Sequence, residues 1–166
     1  MIDLKTKAAY FGVFTALALI FSYVETLIPI HLGIPGVKLG LANLIIVITL
    51  YKMGTKEAYI LSIVRVVLAG FIFGNMFSIL YSMSGGLLSL SVMTLLHKTD
   101  KFSVMGVSIA GGVFHNIGQL LMAAIVLDSL SITYYLPVLL ISGILTGFVI
   151  GFIANEMLKR LVRIQF

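Results

Sequence analysis

Six apolar stretches, spanning roughly 8–30, 39–53, 57–73, 76–96, 103–127 and 132–157, occupy most of this 166-residue chain. A bilayer hydrocarbon core about 30 Å thick takes about 20 helical residues to cross, with a range of about 17–25. The first, fourth, fifth and sixth stretches meet that length, the second is short, and the third only reaches the lower limit. Lipid offers no water to unpaired backbone groups, so spanning segments are helices or the strands of a closed barrel. Barrel strands alternate apolar and polar residues, and the continuous run from Leu41 to Ile48 does not. Composition closes the argument: 60% of residues are hydrophobic and 10% charged, against about 45–50% and about 25% in soluble domains. With a mean hydropathy of +1.17, the chain has too little polar surface to clothe a water-soluble globule. The expected architecture is an all-α membrane protein, one domain over 1–166 with six transmembrane helices.

The breaks between stretches carry turn chemistry. Pro29, Gly33, Pro35 and Gly36 separate the first two, Gly54 the second and third, and Gly74-Asn75 the third and fourth. Lys98-Thr99-Asp100-Lys101 links the fourth and fifth. Pro137 fits the first turn of the last helix, where its missing N–H does no harm. Charge then orients the bundle. Lys5, Lys7, Lys52, Lys56, Lys98, Lys101, Lys159, Arg160 and Arg163 all fall on one side of a six-span arrangement, and Lys38 alone lies opposite. Basic residues collect on the cytoplasmic side, so both termini are expected there, in a multi-pass protein of the cell membrane. Lys5 and Lys7 followed by Ala16-Leu17-Ala18 imitate a cleaved signal, but the apolar run continues well past that triplet, and the stretch is retained as a span.

Charged side chains inside a span cost about 2.5–3.5 kcal/mol each on insertion scales, so their positions carry information. Counted inward from the ends, Glu25, Asn43, Ser78 and Ser82 fall in the outer part of their spans, with Lys38 at the outer mouth of the second. Arg65 and His115 lie near mid-span, Asn116 and Gln119 outward of His115, and Ser84 deeper than Ser82. The inner halves hold mostly hydroxyls such as Thr15, Thr49, Ser89 and Thr94. A cavity open to the outside accounts for that distribution. Helix-to-helix hydrogen bonds account better for any single serine, and Glu25 with Arg65 makes equal sense as a structural ion pair. His115 and Gln119 share a helix face at i, i+4, bracketed by Gly111, Gly112 and Gly118. His97 is read as solvated. Small residues at four-residue spacing, Ala8-Gly12-Ala16 and Ser142/Gly143-Gly147-Gly151, mark helix contacts within the chain or with a partner.

Several chemistries are excluded. Without cysteine there are no disulfides, thiolate metal sites or thiol nucleophiles. No phosphate-binding loop of the G-x-x-x-x-G-K-[ST] type and no H-E-x-x-H is present. His31, His97 and His115 are too dispersed in depth to make a metal site. The aspartates are Asp3, Asp100 and Asp128, so no aspartate-rich magnesium–diphosphate motif can be built. The net charge of +5 is spread through apolar runs and makes no nucleic-acid-binding face. Neither cofactor, metal nor catalysis is expected.

Certain strings are more specific. They are Glu25 with Pro29, the run from Pro35 to Asn43, Arg65, Ser84-Gly85-Gly86 with Ser89, and the stretch from Phe102 to His115-Asn116-x-Gly118-Gln119. Together they resemble the Gx transporter family, whose members are often labelled heptaprenyl diphosphate synthase component I. That family is similar to the substrate-binding S components of energy-coupling factor (ECF) transporters. The resemblance implies a six-helix S-component-like bundle with an external site. It also implies docking on a separate transmembrane coupling subunit driven by two ATPases, with Ala8, Gly12 and Ala16 on the docking surface.

The expected function is a substrate-binding subunit for uptake of a small vitamin-like or precursor solute. Lys38, Arg65 and His31 suit an anionic or polar head group, with Asn43, Ser84, His115, Asn116 and Gln119 as further binding residues. Glu25 is read as pairing with Arg65 or Lys38, or as contacting a cationic part of the ligand. The loop from His31 to Lys38 is a candidate gate. The alternative is a non-catalytic membrane subunit in polyprenyl diphosphate or quinone metabolism.

Overall fold

Each apolar stretch forms a helix close to its expected bounds in the computed structural model, which describes residues 4–28 and 40–161. The order is α1 (Leu4–Leu27), α2 (Leu41–Lys52), α3 (Thr55–Phe73), α4 (Met76–Lys98), α5 (Val104–Val126) and α6 (Leu136–Arg160), with a 3-10 turn, Leu130–Tyr135, leading into α6. Among the described residues, Lys5–Leu27, Met76–Lys98, Val104–Val126 and Leu130–Arg160 are long and apolar enough to cross a membrane. On α6 the large apolar side chains Ile141, Leu145, Phe148 and Phe152 are all exposed, which suits a lipid surround and not water. The fold is that of an all-α membrane protein.

The breaks work as their chemistry dictates. Asn75 caps α4 reciprocally: its Oδ1 accepts from the Ser78 N–H and its own N–H donates to Ser78 Oγ, each at 2.9 Å. Ser103 Oγ accepts from the Gly106 N–H at the start of α5. Pro137 stands in the first turn of α6. Gly40 precedes α2 with φ +73°, a conformation that side-chain-bearing residues rarely adopt.

Helix α2 is the element hydropathy describes least well. Its 12 residues reach only about 18 Å, and Ala42 together with Leu44 through Leu50 are buried. It packs against α1, α3 and α6, and its apolar side chains form the centre of the core with Phe14, Ala18, Leu61, Leu90, Val107 and Ile150. An all-round apolar helix is satisfied by enclosure in protein. Helix α3 differs in another way, carrying Lys56, Glu57 and Arg65 within its 19 residues.

Helices α4, α5 and α6 meet through glycine. A methyl group at Gly112 would lie 2.4 Å from the Gly143 carbonyl oxygen, and one at Gly147 would lie 2.7 Å from Ile109 Cα. The glycine stripe of α6 is therefore an internal contact with α5. The stripe on α1 differs: Ala8, Gly12 and Ala16 are exposed, and nothing lies within 4 Å of a methyl built on Gly12.

The two ends of the bundle have different chemistry. At one, Lys7 pairs with Glu57, Lys52 Nζ donates to the Leu161 carbonyl at 2.7 Å, and the Tyr51 and His97 rings sit 4.2 Å apart. His97 is thus packed against an aromatic ring, which corrects the expectation that it is merely solvated. At the other, the Tyr23 and Phe73 rings are 4.9 Å apart, and Phe73 also lines the polar cavity.

Candidate functional site

The site is built around the first turn of α2. Gly40 supplies no capping side chain to that helix. The cap comes from α1 instead, where Glu25 Oε1 accepts the Leu41 N–H at 2.7 Å. A carboxylate at this position meets the partial positive charge of the helix N-terminus. Two residues on, Asn43 Oδ1 accepts from Arg65 Nη2 of α3 at 3.3 Å. Arg65 is only 8% exposed, and its Nε–H finds no hydrogen-bond partner among the described residues. Glu25 is close enough to act on the Arg65 charge. A buried guanidinium is tolerated only where opposite charge and hydrogen bonds compensate it, and here that compensation is partial.

Around these groups lies a cavity of ≈ 190 Å³. On the same measure, one water needs about 10–15 Å³, so the space admits a small molecule. Helix α1 contributes Ser22 and Glu25, α2 Asn43, α3 Arg65, α4 Ser78 and Ser82, and α5 His115 and Gln119. Phe73, Val66 and Ala69 of α3 form an apolar wall. Behind His115 and Gln119, Gly85 lets α4 pack closely on α5: a methyl there would lie 2.7 Å from the His115 carbonyl oxygen and 2.8 Å from Gln119 Cγ. A smaller void of ≈ 40 Å³ continues past Asn43 and His115 towards Ser89, Ser108 and Thr146.

Five of the eight expected binding residues, Glu25, Asn43, Arg65, His115 and Gln119, thus line one cavity. Two, Ser84 and Asn116, stand apart from it. Ser84 Oγ donates to the Gly118 carbonyl at 2.7 Å and ties α4 to α5, so its hydroxyl is engaged as a helix contact. Asn116 Nδ2 donates to the Leu139 carbonyl at 2.7 Å, tying α5 to α6, and its side chain borders the smaller void. Lys38 lies outside the described residues, as do His31 and the candidate gate.

Some lining residues escaped sequence reading. Ser22 and Thr26 flank Glu25 on one face of α1, a spacing of four that carries the signal, although Ser22 Oγ also donates to the Ala18 carbonyl. Ala69, Gly70 and Phe73 gave no signal, because apolar residues in an apolar span are unremarked. Chemically the site offers a guanidinium and amides as donors and one carboxylate as acceptor. Among the described residues no group of three His, Cys, Asp or Glu is placed to hold a metal. The arrangement suits binding a polar group by charge-assisted hydrogen bonds.

The family model described as heptaprenyl diphosphate synthase component I matches residues 14–157, and the chain belongs to that family. No curated protein and no solved structure matches it.

Proposed function

We propose that this member of the component I family is a non-enzymatic, substrate-binding membrane subunit that takes up a small vitamin-like or precursor solute. In this reading six helices cross the cell membrane, both termini are cytoplasmic, and the Arg65 cavity faces outward. The basic end of the bundle supports that orientation by its excess of Lys and Arg. Energy for transport comes from separate ECF-type coupling and ATPase subunits, and the exposed Ala8-Gly12-Ala16 stripe is the docking surface for the former. Close approach of helices in lipid favours small residues of this kind.

The observation that carries the reading is Arg65. It is buried, it leaves one N–H without a partner among the described residues, and it borders a cavity large enough for a guest. An intramembrane charge so placed points to function, and the cavity beside it points to binding. Thermal unfolding of the detergent-solubilised protein against a panel of vitamins and their precursors tests it. At least one compound should raise the midpoint for the wild type and not for Arg65→Gln. Protection by none of them, or equal protection of the variant, would overturn the assignment.

The second reading rests on the family's description, which names a component of a prenyl diphosphate synthase. Lacking an aspartate-rich motif, the chain would serve there as a non-catalytic membrane partner. Co-purification with a soluble prenyl synthase, in place of ATPase subunits, would favour that reading over uptake.

A further inference from the structure

Next to the polar cavity lies a larger space of opposite character. Its volume is ≈ 270 Å³, and, the amides of Asn116 and Gln119 apart, its walls are apolar or aromatic, with Tyr81 of α4, Leu120 and Ala123 of α5, Ile132 and Tyr135 of the 3-10 turn, and Leu139 of α6. The two spaces meet at one residue: Gln119 lines both. Along α5, therefore, His115 and Gln119 face the Arg65 cavity, and the next turn presents Leu120 and Ala123 to the groove. The small side chain at Ala123 keeps the groove open, since Leu120 and Leu127 on either side are large. A wholly polar solute fills the first space and leaves the second without a partner.

We propose that the ligand of this site is an amphiphile. Its compact head carries an anionic or acceptor oxygen and lies against Arg65 and Asn43. Its hydrocarbon tail passes Gln119 and lies in the groove between α5, the 3-10 turn and α6. The inference rests on the binding reading above and narrows its substrate class. Burying hydrocarbon beside a charge-assisted head contact places both halves of such a molecule in matching surroundings. Gln119, polar at its tip and aliphatic along its stem, stands where the two halves join.

The test uses the full chain in phosphatidylcholine nanodiscs, with binding of radiolabelled n-butyl and n-octyl phosphate. Both proteins compared see the same bilayer, so partition of the probe into lipid cancels between them. Ala123→Phe fills the groove and leaves every polar group in place. With uptake of each probe by protein-free nanodiscs subtracted, octyl phosphate should bind the wild type at least about tenfold more tightly than butyl phosphate. Ala123→Phe should lose about tenfold in octyl phosphate affinity and less than about twofold in butyl phosphate affinity. Ile132→Trp narrows the groove from its other wall and replaces Ala123→Phe should that variant not fold. Arg65→Gln should weaken both probes.

Binding that Arg65→Gln weakens but that ignores chain length overturns the amphiphile and leaves the solute-binding site standing. Loss of neither probe in Arg65→Gln removes both. Mass spectrometry of the protein released from the nanodisc separates the sources of hydrocarbon. A retained phosphatidylcholine that octyl phosphate does not displace assigns the groove to bilayer lipid and overturns the proposal, whereas displacement supports it.

Discussion

Consider adding a single methyl group at Gly85. The new carbon would sit 2.7 Å from the His115 carbonyl oxygen, 2.8 Å from Gln119 Cγ and 3.1 Å from His115 Cε1. A relaxed carbon–oxygen contact is about 3.3–3.6 Å, so α4 and α5 must part by roughly 0.6–0.9 Å. The Ser84–Gly118 hydrogen bond, 2.7 Å long at the same crossing, then stretches beyond the normal range. Overpacking of this kind costs about 1–3 kcal/mol, and an interhelical hydrogen bond in a membrane protein contributes about 0.6 kcal/mol more. Alanine returns about 0.8–1.0 kcal/mol through its better helix propensity. The net expectation is a loss of about 0.6–2.8 kcal/mol. Gly12→Ala is the matched control, with the same propensity gain and nothing within 4 Å to strike. Reversible unfolding in mixed detergent micelles should show Gly85→Ala clearly destabilised and Gly12→Ala neutral or stabilised. The same displacement moves His115 and Gln119, so ligand protection should fall in Gly85→Ala and persist in Gly12→Ala. Equal stability of the two variants would refute the claim that backbone contact at Gly85 sets the α4–α5 spacing.

Three further outcomes follow from the same geometry. Glu25→Gln keeps an acceptor for the Leu41 N–H but removes the charge facing the α2 terminus and Arg65; stability in the same unfolding assay should drop by about 1 kcal/mol. Asn75→Ala removes the cap of α4, whose loss costs about 1 kcal/mol, and should lower the midpoint without altering ligand protection. Alkaline phosphatase fused after Lys101 or after the last residue should be inactive, and fused after Asp128 active; the reverse pattern would refute the six-span orientation.

How far the site was legible depends on what counting along a sequence measures. Apolar run length gives depth in the bilayer, and by that count Glu25, Asn43, Arg65, His115 and Gln119 fall between the outer part and mid-span; all five line one cavity. It says nothing of direction around a helix. At about 100° per residue, Ser82 and Ser84 point about 200° apart, so one lines the cavity and the other meets Gly118. Asn116 is turned about 100° from His115, which carries it away from the Arg65 cavity to the Leu139 carbonyl. The i, i+4 pairing of His115 and Gln119, by contrast, does encode direction, and both line the cavity. His97 shows a different blind spot, since no local pattern announces that Tyr51, on another helix, will lie against its ring.

Lipid tails and leucine side chains are alike in polarity, so an apolar run reads the same whether lipid or protein surrounds it. Only its length betrays α2: at about 18 Å it falls roughly 12 Å short of the hydrocarbon thickness. Enclosed by α1, α3 and α6, it cannot be met by a thinned bilayer, tilting would only deepen the deficit, and its first turn ends inside the bundle. That terminus is where Glu25 is bound, where Asn43 holds Arg65, and where the polar cavity begins. A full-length helix in the same position would carry its polar N-terminal groups out to the membrane surface and fill the space the cavity occupies. Extending α2 inward or outward by one turn should therefore abolish ligand protection even with every lining residue unchanged, because the site is a consequence of where that helix stops.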